Sequence, residues 1–395
     1  MERRIGTRGS LGRSFVLKTL LMTLALAMVS PVSVSNAAVR NISSGPVVVD
    51  RIAGGLRVPW SIAFLPNCEF LVTERRGRLY HFDASLNRTR VSTNLRVFGR
   101  GQGGLLDVMA ARDFERTRRV YLTYAYSPGG GTAGTAISAG RLAADNSSLE
   151  SLNRIFEASP RSSGSRHFGS RIVEADDGSL YATIGERGRR SSAQDLSSHN
   201  GSVIRIWPDG SVPSDNPFVG QEGRQWEIWS YGHRNAQGAT FDAAGNLWLS
   251  EHGARGGDEV NLVERGLNYG WPVISYGRHY SGLRIGEGHE RAGMEQPEFY
   301  WDPSIAPSGI VVYSGKLWPE WKDHILVGSL KFDMISRLGN SGGLREVERI
   351  SMAETQRVRD VREAQDGSIW FISEDLGAIY RMIPRDVASD SLSCH

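Results

Sequence analysis

The sequence predicts an all-β protein that folds as a six-bladed β-propeller with four antiparallel strands in each blade. Short strand-like runs recur along the chain, each opened by a turn, and they begin near residues 68, 119, 178, 245, 324 and 367. Their mean spacing of about 60 residues is close to the length of one four-stranded blade. Long amphipathic helical stretches are almost absent, whereas glycine, tryptophan and tyrosine are plentiful.

The turns before these runs contain residues that favour tight turns. They are Pro66-Asn67, Asp177-Gly178, Ala244-Gly245 and Asp366-Gly367. A large β-sandwich or barrel is the alternative, but its strands would follow one another more evenly, without a higher-order period. A propeller gathers loops from every blade at one end of a central channel. Residues distant in sequence are therefore expected to meet there.

The N-terminal segment 1–37 is predicted to be a signal peptide. It carries five basic residues, Arg3, Arg4, Arg8, Arg13 and Lys18. An apolar run at 19–29 and small residues at 35–37 follow, which is the order found in secretory signals. The apolar run is shorter than the roughly 20 residues that span a bilayer. We therefore expect cleavage near Ala37, a periplasmic or secreted protein and no stable membrane insertion; an uncleaved anchor is the alternative.

The remaining chain is predicted to contain one folded domain. Residues 38–49 form an N-terminal segment, residues 50–384 form the propeller that carries catalysis, and residues 385–395 form a C-terminal tail. The signal segment contributes +4 to the formal charge of +3, which leaves the mature chain near −1. The basic pI thus gives no reason to expect a nucleic acid or another polyanion as a partner. The two cysteines, Cys68 and Cys394, could pair, but they do not form a disulfide framework.

The stretch from Glu251 to Glu259 is the strongest local signal for a metal. A strand-like run at 247–250 leads into a glycine-rich turn whose backbone carbonyls are unshielded and whose carboxylates are close by. Calcium prefers such oxygen-rich sites built from turns.

His167 is a candidate general base, because an imidazole titrates near neutral pH and can take a proton from an alcohol. The histidines at 199, 233 and 252 are alternatives. Lys331 is one of only three lysines after the signal segment, which suggests a specific need for an ammonium group. Arg357 and Arg359 lie two residues apart, so an extended strand places both on one face, where they can bind carboxylates.

Six motifs occur in a specific order between residues 50 and 384. They are Arg166-His167-Phe168-Gly169, Tyr231-Gly232-His233-Arg234-Asn235, Glu251-His252-Gly253 with Asp258-Glu259, Asn268-Tyr269-Gly270-Trp271-Pro272, Ser329-Leu330-Lys331 and Arg357-Val358-Arg359-Asp360. This set resembles the soluble sugar dehydrogenases that depend on pyrroloquinoline quinone (PQQ), and specifically their periplasmic aldose sugar dehydrogenase branch.

The resemblance implies an oxidoreductase with PQQ lying over Ca²⁺ at the mouth of the channel. It assigns His167 as the general base and Gln102 as a contact of cofactor and substrate. It implies that PQQ is held by Arg234, Asn235, Tyr280, Lys331, Arg357 and Arg359. The carbonyls of Gly253 and Ala254 would bind the calcium beside the cofactor. Glu259 and the backbone of Tyr269 would form a second calcium site.

The implied reaction is oxidation of the anomeric C1 hydroxyl of an aldose to a lactone, with hydride transfer to PQQ. Ca²⁺ would polarise the quinone, and an external acceptor would take the electrons. The chain departs from the family pattern in two places. Arg166 replaces an acid found in the glucose-oxidising relatives, which weakens an expectation of strict glucose specificity. Ala254 replaces a usual proline, but its carbonyl is still available to calcium.

Two other functions stay open on the sequence alone. A secreted calcium-dependent lactonase or esterase would also place a metal in the channel, but it would leave the cationic residues without a purpose. A non-catalytic propeller would use the same loops to bind a protein or glycan. The expected oligomeric state is a monomer or a homodimer.

Overall fold

Six antiparallel sheets follow one another along the chain, which confirms the predicted six-bladed β-propeller. The structure is a computed structural model, and it describes residues 37–387. Almost all of the predicted signal peptide and most of the predicted tail lie outside the described residues. Among residues 37–387, no helix has the length and apolar character that a membrane crossing requires.

The described chain begins with a β-hairpin, and each of blades 1 to 3 then uses four consecutive strands. The hairpin consists of β1 (Ala37–Ile42) and β2 (Gly45–Ala53). Blade 1 contains β3 (Pro59–Phe64), β4 (Phe70–Glu74), β5 (Arg78–Phe82) and β6 (Arg88–Val91). Blade 2 contains β7 (Leu105–Ala110), β8 (Arg119–Gly129), β9 (Thr132–Leu142) and β10 (Leu149–Glu157). Blade 3 contains β11 (Gly169–Glu174), β12 (Leu180–Ile184), β13 (Ser202–Ile206) and β14 (Ile228–Tyr231).

Blades 4 and 5 repeat this pattern, and blade 6 supplies the last three strands. Blade 4 contains β15 (Ala236–Phe241), β16 (Leu247–Glu251), β17 (Asp258–Val263) and β18 (Phe299–Trp301). Blade 5 contains β19 (Pro307–Val312), β20 (Ile325–Ser329), β21 (Ile335–Gly339) and β22 (Arg345–Ile350). Blade 6 contains β23 (Val358–Glu363), β24 (Ile369–Ser373) and β25 (Ala378–Pro384). The first strand of every blade contacts the first strands of its two neighbours, so these six strands surround the channel.

The N-terminal hairpin closes the ring. Strand β2 pairs antiparallel with β25 as the fourth strand of blade 6, and β1 adds a fifth strand outside it. The first sheet residues therefore precede residue 50, where the sequence placed the start of the propeller. The physical reason is that Val47 and Val49 of β2 are buried against blades 5 and 6. Without β2, that apolar surface of the last blade would face water.

Helical segments of the described chain are short. They are α1 (Phe114–Thr117) and three 3₁₀ turns, Pro66–Cys68, Arg190–Gln194 and Pro319–Trp321. Cys68 in the first of these turns is disulfide-bonded; the other cysteine of the sequence, Cys394, lies outside the described residues.

The apolar core is divided among the interfaces between neighbouring blades. Leu71 and Leu79 of blade 1, for example, pack with Val108 and Val120 of blade 2. Five further clusters of the same kind join the other adjacent blades around the ring. Because the hydrophobic core lies between blades, the channel itself is left for polar groups.

Buried ion pairs fill the axis of the channel. Arg171 of β11 binds Asp107 of β7 at 2.9 Å and Asp360 of β23 at 3.1 Å. All three side chains are 1% exposed or less. The Arg171 guanidinium also lies over the Trp60 ring, 4.5 Å from its centroid. Gly309 makes room for this network, since a Cβ there would lie 2.3 Å from an Asp360 carboxylate oxygen. Three blades are thereby joined at the axis.

Candidate active site

A cavity of about 1030 Å³ is formed by loops at the ends of the inner strands. Nine of the residues predicted for the site line it: Gln102, His167, Arg234, Asn235, Gly253, Ala254, Tyr280, Lys331 and Arg357. These residues come from loops of blades 2 to 6, so the propeller brings together positions that are up to 255 residues apart in sequence. Arg359, Glu259 and Tyr269 do not line this cavity.

His167 is oriented by contacts on both its ring and its backbone. Its Nδ1 lies 2.5 Å from Oε1 of the buried Glu186, and its backbone N–H donates to Oε1 of Gln102 at 2.7 Å. The contact with the Glu186 carboxylate favours the tautomer with the proton on Nδ1. Nε2 is then unprotonated in the neutral ring. Burial lowers the pKa of His167, although the hydrogen bond to Glu186 opposes that shift.

Glu186 was missed from the sequence. It follows β12 in the turn Gly185-Glu186-Arg187-Gly188, and its backbone N–H donates to the carbonyl of Arg234 at 2.9 Å. A Cβ at Gly185 would lie 2.1 Å from the His167 carbonyl, so only glycine permits this approach. A buried-strand run followed by a glycine-flanked acid is the signal that could have identified Glu186.

Arg187 stabilises the loop that carries His167. Its guanidinium lies 3.3 Å from the centroid of the Phe168 ring and donates hydrogen bonds to the carbonyls of Gly164 and Arg166. Burial lowers the pKa of Arg187 to about 9. The Arg166 side chain itself is exposed.

The other candidate histidines have different surroundings. His199 pairs with Glu227, and His233 pairs with Glu251; neither lines the cavity. His252 does line it, and its Nε2 lies 3.4 Å from Oε1 of Gln237. Burial and the surrounding guanidinium groups hold the pKa of His252 well below its usual range. Of the two cavity histidines, only His167 contacts a carboxylate.

Arg234 is a buried cation whose guanidinium group pairs with no carboxylate of residues 37–387. Its backbone N–H donates to Glu251, and Nη1 donates to the His252 carbonyl at 3.0 Å. Its Nε has no hydrogen-bond partner among the described residues. The guanidinium lies 5.2 Å from the centroid of the Trp271 ring, and burial lowers its pKa. An unsatisfied buried donor at a cavity wall is suited to an anionic ligand.

A second group of cationic residues comes from blades 5 and 6, later in the sequence. Glu374 binds Nε of Arg357 at 2.8 Å and Nε of Arg359 at 2.6 Å. Burial acts to raise the pKa of Glu374, but these two arginines together outweigh it and lower the pKa. Arg359 is buried behind Arg357 and also donates to Gln237. Lys331 donates from Nζ to the Ser304 carbonyl at 3.0 Å. Arg357 and Lys331 therefore face the cavity, while Arg359 and Glu374 support Arg357.

The glycine-rich turn after β16 supplies backbone oxygens to the same cavity. A Cβ at Gly253 would lie 2.1 Å from the Gly257 carbonyl and 2.3 Å from the Gly256 carbonyl, so this crowding requires glycine. The Gly253 N–H donates to Asp258, whose other oxygen accepts from Ser304. Within residues 37–387, no group of three or more His, Cys, Asp or Glu side chains is placed to hold a metal ion. A cation at this turn would therefore depend on carbonyl oxygens, which fit calcium.

Glu259 lies beside this turn but outside the cavity. Burial and the nearby Glu251 raise the pKa of Glu259 well above its usual range, and Asn261 donates to its carboxylate at 3.3 Å. Tyr269 stacks on His233 with ring centroids 4.6 Å apart, and its backbone N–H donates to Tyr231. A desolvated carboxylate beside another acid is a place where a cation would be stabilising.

Comparisons with known proteins agree with this geometry. Residues 56–381 match the family Glucose / Sorbosone dehydrogenase. Aldose sugar dehydrogenase YliI of Escherichia coli is 41% identical over 347 residues, which cover 86% of this chain and 94% of that protein. Quinoprotein glucose dehydrogenase B of Acinetobacter calcoaceticus is 28% identical over 284 residues, which cover 53% of this chain and 59% of that protein.

Solved structures show the same fold. The apo-form of the soluble aldose sugar dehydrogenase of E. coli has a TM-score of 0.83 at 40% identity, and the match covers 86% of this chain and all of that chain. The PQQ-bound aldose sugar dehydrogenase of Streptomyces coelicolor has a TM-score of 0.71 at 26% identity, and the match covers 88% of this chain and 98% of that chain.

Proposed function

Because this chain belongs to the Glucose / Sorbosone dehydrogenase family, we propose that it is a PQQ-dependent aldose sugar dehydrogenase that oxidises the C1 hydroxyl of cyclic aldoses to lactones. The observation that carries this proposal is the His167–Glu186 pair at the wall of a cavity whose lining contains five cationic side chains and one acidic side chain. A lactonase would leave the cationic residues of this lining without an obvious purpose.

The residues of the cavity suit PQQ, a flat molecule with three carboxylates. Arg234, Lys331 and Arg357 offer charge-assisted hydrogen bonds, and Asn235 and Tyr280 add polar and aromatic contacts. We propose that Arg359 acts from behind, by fixing Glu374 and hence Arg357. When bound, PQQ supplies an electrophilic quinone carbonyl that accepts hydride, and Ca²⁺ increases that electrophilicity.

His167 is proposed to accept the proton of the C1 hydroxyl at Nε2. Glu186 holds the ring through Nδ1 and stabilises the imidazolium that forms, because the negative charge of the buried carboxylate compensates the new positive charge. Gln102 fixes the His167 backbone and lines the cavity, so its amide can also touch the sugar.

Calcium is proposed at two positions. The carbonyls of Gly253 and Ala254 would hold the ion beside the cofactor, since the turn brings several carbonyls together at the cavity wall. Glu259 and the Tyr269 carbonyl would hold a second ion, which would compensate the carboxylate charge of Glu259 and Glu251.

We also propose export and an external electron acceptor. The basic and apolar pattern of residues 1–37 supports a periplasmic or secreted location. Reoxidation of the cofactor then requires an acceptor that reaches the cavity mouth.

Reconstitution tests the proposed function. Cofactor-free protein titrated with PQQ in the presence of Ca²⁺ is expected to reduce a redox dye when an aldose is added, and chelation during reconstitution should prevent this. Binding of both should also raise the melting temperature, because ligands of the native state stabilise it. Hydrolysis of a lactone by PQQ-free protein would support the lactonase instead. Absence of dye reduction with every aldose would support a binding propeller.

The pH dependence of kcat provides a second test. His167 must be neutral to accept a proton, and burial lowers its pKa. The rate should therefore be retained as pH falls through 6.5 and be lost only at lower pH. Glu186 opposes the shift, so Glu186→Gln should move the acid limb to still lower pH. An acid limb centred above 6.5 in the unmodified protein would contradict the assignment.

A further inference from the structure

Two arginines at the cavity have no role in the proposed reaction. Arg255 and Arg278 both line the cavity, and both side chains are exposed. Each donates its backbone N–H to the carbonyl of the other at 3.0 Å, so the two residues form an antiparallel bridge. Residues opposite each other in such a pair project their side chains to the same side. The bridge therefore places two arginine side chains side by side on the same face.

No acidic side chain neutralises this arginine pair. Neither arginine forms a salt bridge within residues 37–387, and Asp302, the one acidic residue of the lining, pairs with neither. Like charges placed opposite each other on a sheet are destabilising. Arg357 of the same lining, by contrast, binds Glu374. The repulsion between the two arginines is therefore destabilising, and no carboxylate of the described residues compensates it.

The charge of the whole lining leads to the same conclusion. It contains five permanent cations and one acid: Arg234, Arg255, Arg278, Lys331, Arg357 and Asp302. A bound tricarboxylate and one Ca²⁺ together add only about −1, so the side chains of the lining, counted alone, would keep an excess of about +3. Glu186, at His167, and Glu374, at Arg357, reduce this excess from outside the lining, but among the described residues neither acid pairs with Arg255 or Arg278.

We propose that the substrate of this cavity is an aldose that carries an anionic group away from C1, bound by Arg255 and Arg278. This inference rests on the proposed function. A guanidinium pair suits a carboxylate or a phosphate, which accept two parallel hydrogen bonds. The reaction is the same: the C1 hydroxyl loses its proton to His167 and C1 loses hydride to the quinone. A hexuronic acid then gives a lactone that still bears its carboxylate.

Three sugars with the same ring stereochemistry test this assignment: D-glucose, D-glucuronate and D-glucose 6-phosphate. With enzyme reconstituted with PQQ and Ca²⁺, kcat/KM for at least one anionic sugar should exceed that for glucose about tenfold at low ionic strength. The advantage should shrink as salt is added. Glucuronate and the phosphate distinguish a carboxylate site from a phosphate site. Glucose oxidation that equals or exceeds both would overturn the inference and leave the proposed function standing; no oxidation of any sugar would overturn both.

Variants of the pair complete the test. Replacing both residues, Arg255→Gln with Arg278→Gln, should reduce the advantage of the anionic sugar about tenfold, and the Lys double variant should retain part of it. Arg90→Gln on the exposed outer strand β6 is the matched control and should retain the full advantage. The dissociation constant of PQQ, measured by titration of cofactor-free protein, separates the two possible roles. A tenfold weaker PQQ complex with an unchanged sugar preference would show that the pair holds the cofactor and would overturn the inference.

Discussion

Replacing His167 is expected to lower kcat by about 10²–10⁴-fold, the range that general acid–base groups contribute. The reason is that Nδ1 of His167 is engaged by Glu186, which leaves Nε2 as the proton acceptor on the cavity wall. His167 has a positive φ of 55°, a conformation that asparagine tolerates better than alanine. His167→Asn and His167→Ala should therefore be measured together, with dye reduction as the assay.

Two measurements separate a lost base from a damaged site. The dissociation constant of PQQ should change little in either His167 variant, because the cationic residues that would hold the cofactor stay in place. Glu186→Gln should cause a smaller loss of kcat, since it keeps a hydrogen-bonding partner but removes the charge that stabilises the imidazolium. A His167→Ala enzyme that turns over at a near-normal rate would remove this residue from the role of base.

Replacing Arg171 is expected to give the largest loss of stability. Arg171→Met keeps most of the side-chain volume but breaks the ion pairs with the buried Asp107 and Asp360. Of the cations that bind them among the described residues, it leaves only Arg362, which lies 3.3 Å from Asp107 and 3.0 Å from Asp360. Breaking a buried ion pair in this way costs about 3–5 kcal/mol, a large share of the roughly 5–15 kcal/mol that stabilises a folded domain. Denaturant unfolding and melting temperature measure the loss.

Arg141→Met is the matched control for Arg171→Met. Arg141 pairs with Glu150 at 2.9 Å, but both side chains are more than half exposed. Its replacement should cost between about 0 and 1 kcal/mol. Equal losses for the two variants would mean that the axial ion pairs contribute little to stability, and that the ring is held mainly by the apolar contacts between blades.

The sequence predicted the blades through one strand of each. The runs detected near residues 68, 119, 178, 245, 324 and 367 became the second strands, β4, β8, β12, β16, β20 and β24. These strands lie inside a sheet between two other blades, so they form short and nearly continuous apolar runs bounded by turns. Inner strands carry polar residues toward the channel, such as Asp107 in β7. Outer strands such as β6 are mostly exposed. Neither pattern stands out in a sequence.

The closure of the ring could not be predicted from any single stretch of the sequence. Strand β2 pairs with β25, more than 300 residues away, and nothing near Val47 indicates that partner. Glu186 escaped detection for a similar reason, because its importance depends on the approach of two loops in blade 3. The resemblance of ordered motifs did identify nine residues of the cavity wall. Only the folded arrangement shows that Arg359 lies behind Arg357, and that Arg255 and Arg278 form a bridge.

The axial side chains Arg171, Asp107 and Asp360 affect how ligands can reach the cavity. Since they are almost fully buried, the cavity does not continue through the ring as an open passage. In the proposed reaction, the sugar and the electron acceptor would therefore use the same opening, and the lactone would have to leave before the acceptor binds. Between these two steps the reduced cofactor would retain two electrons in the cavity.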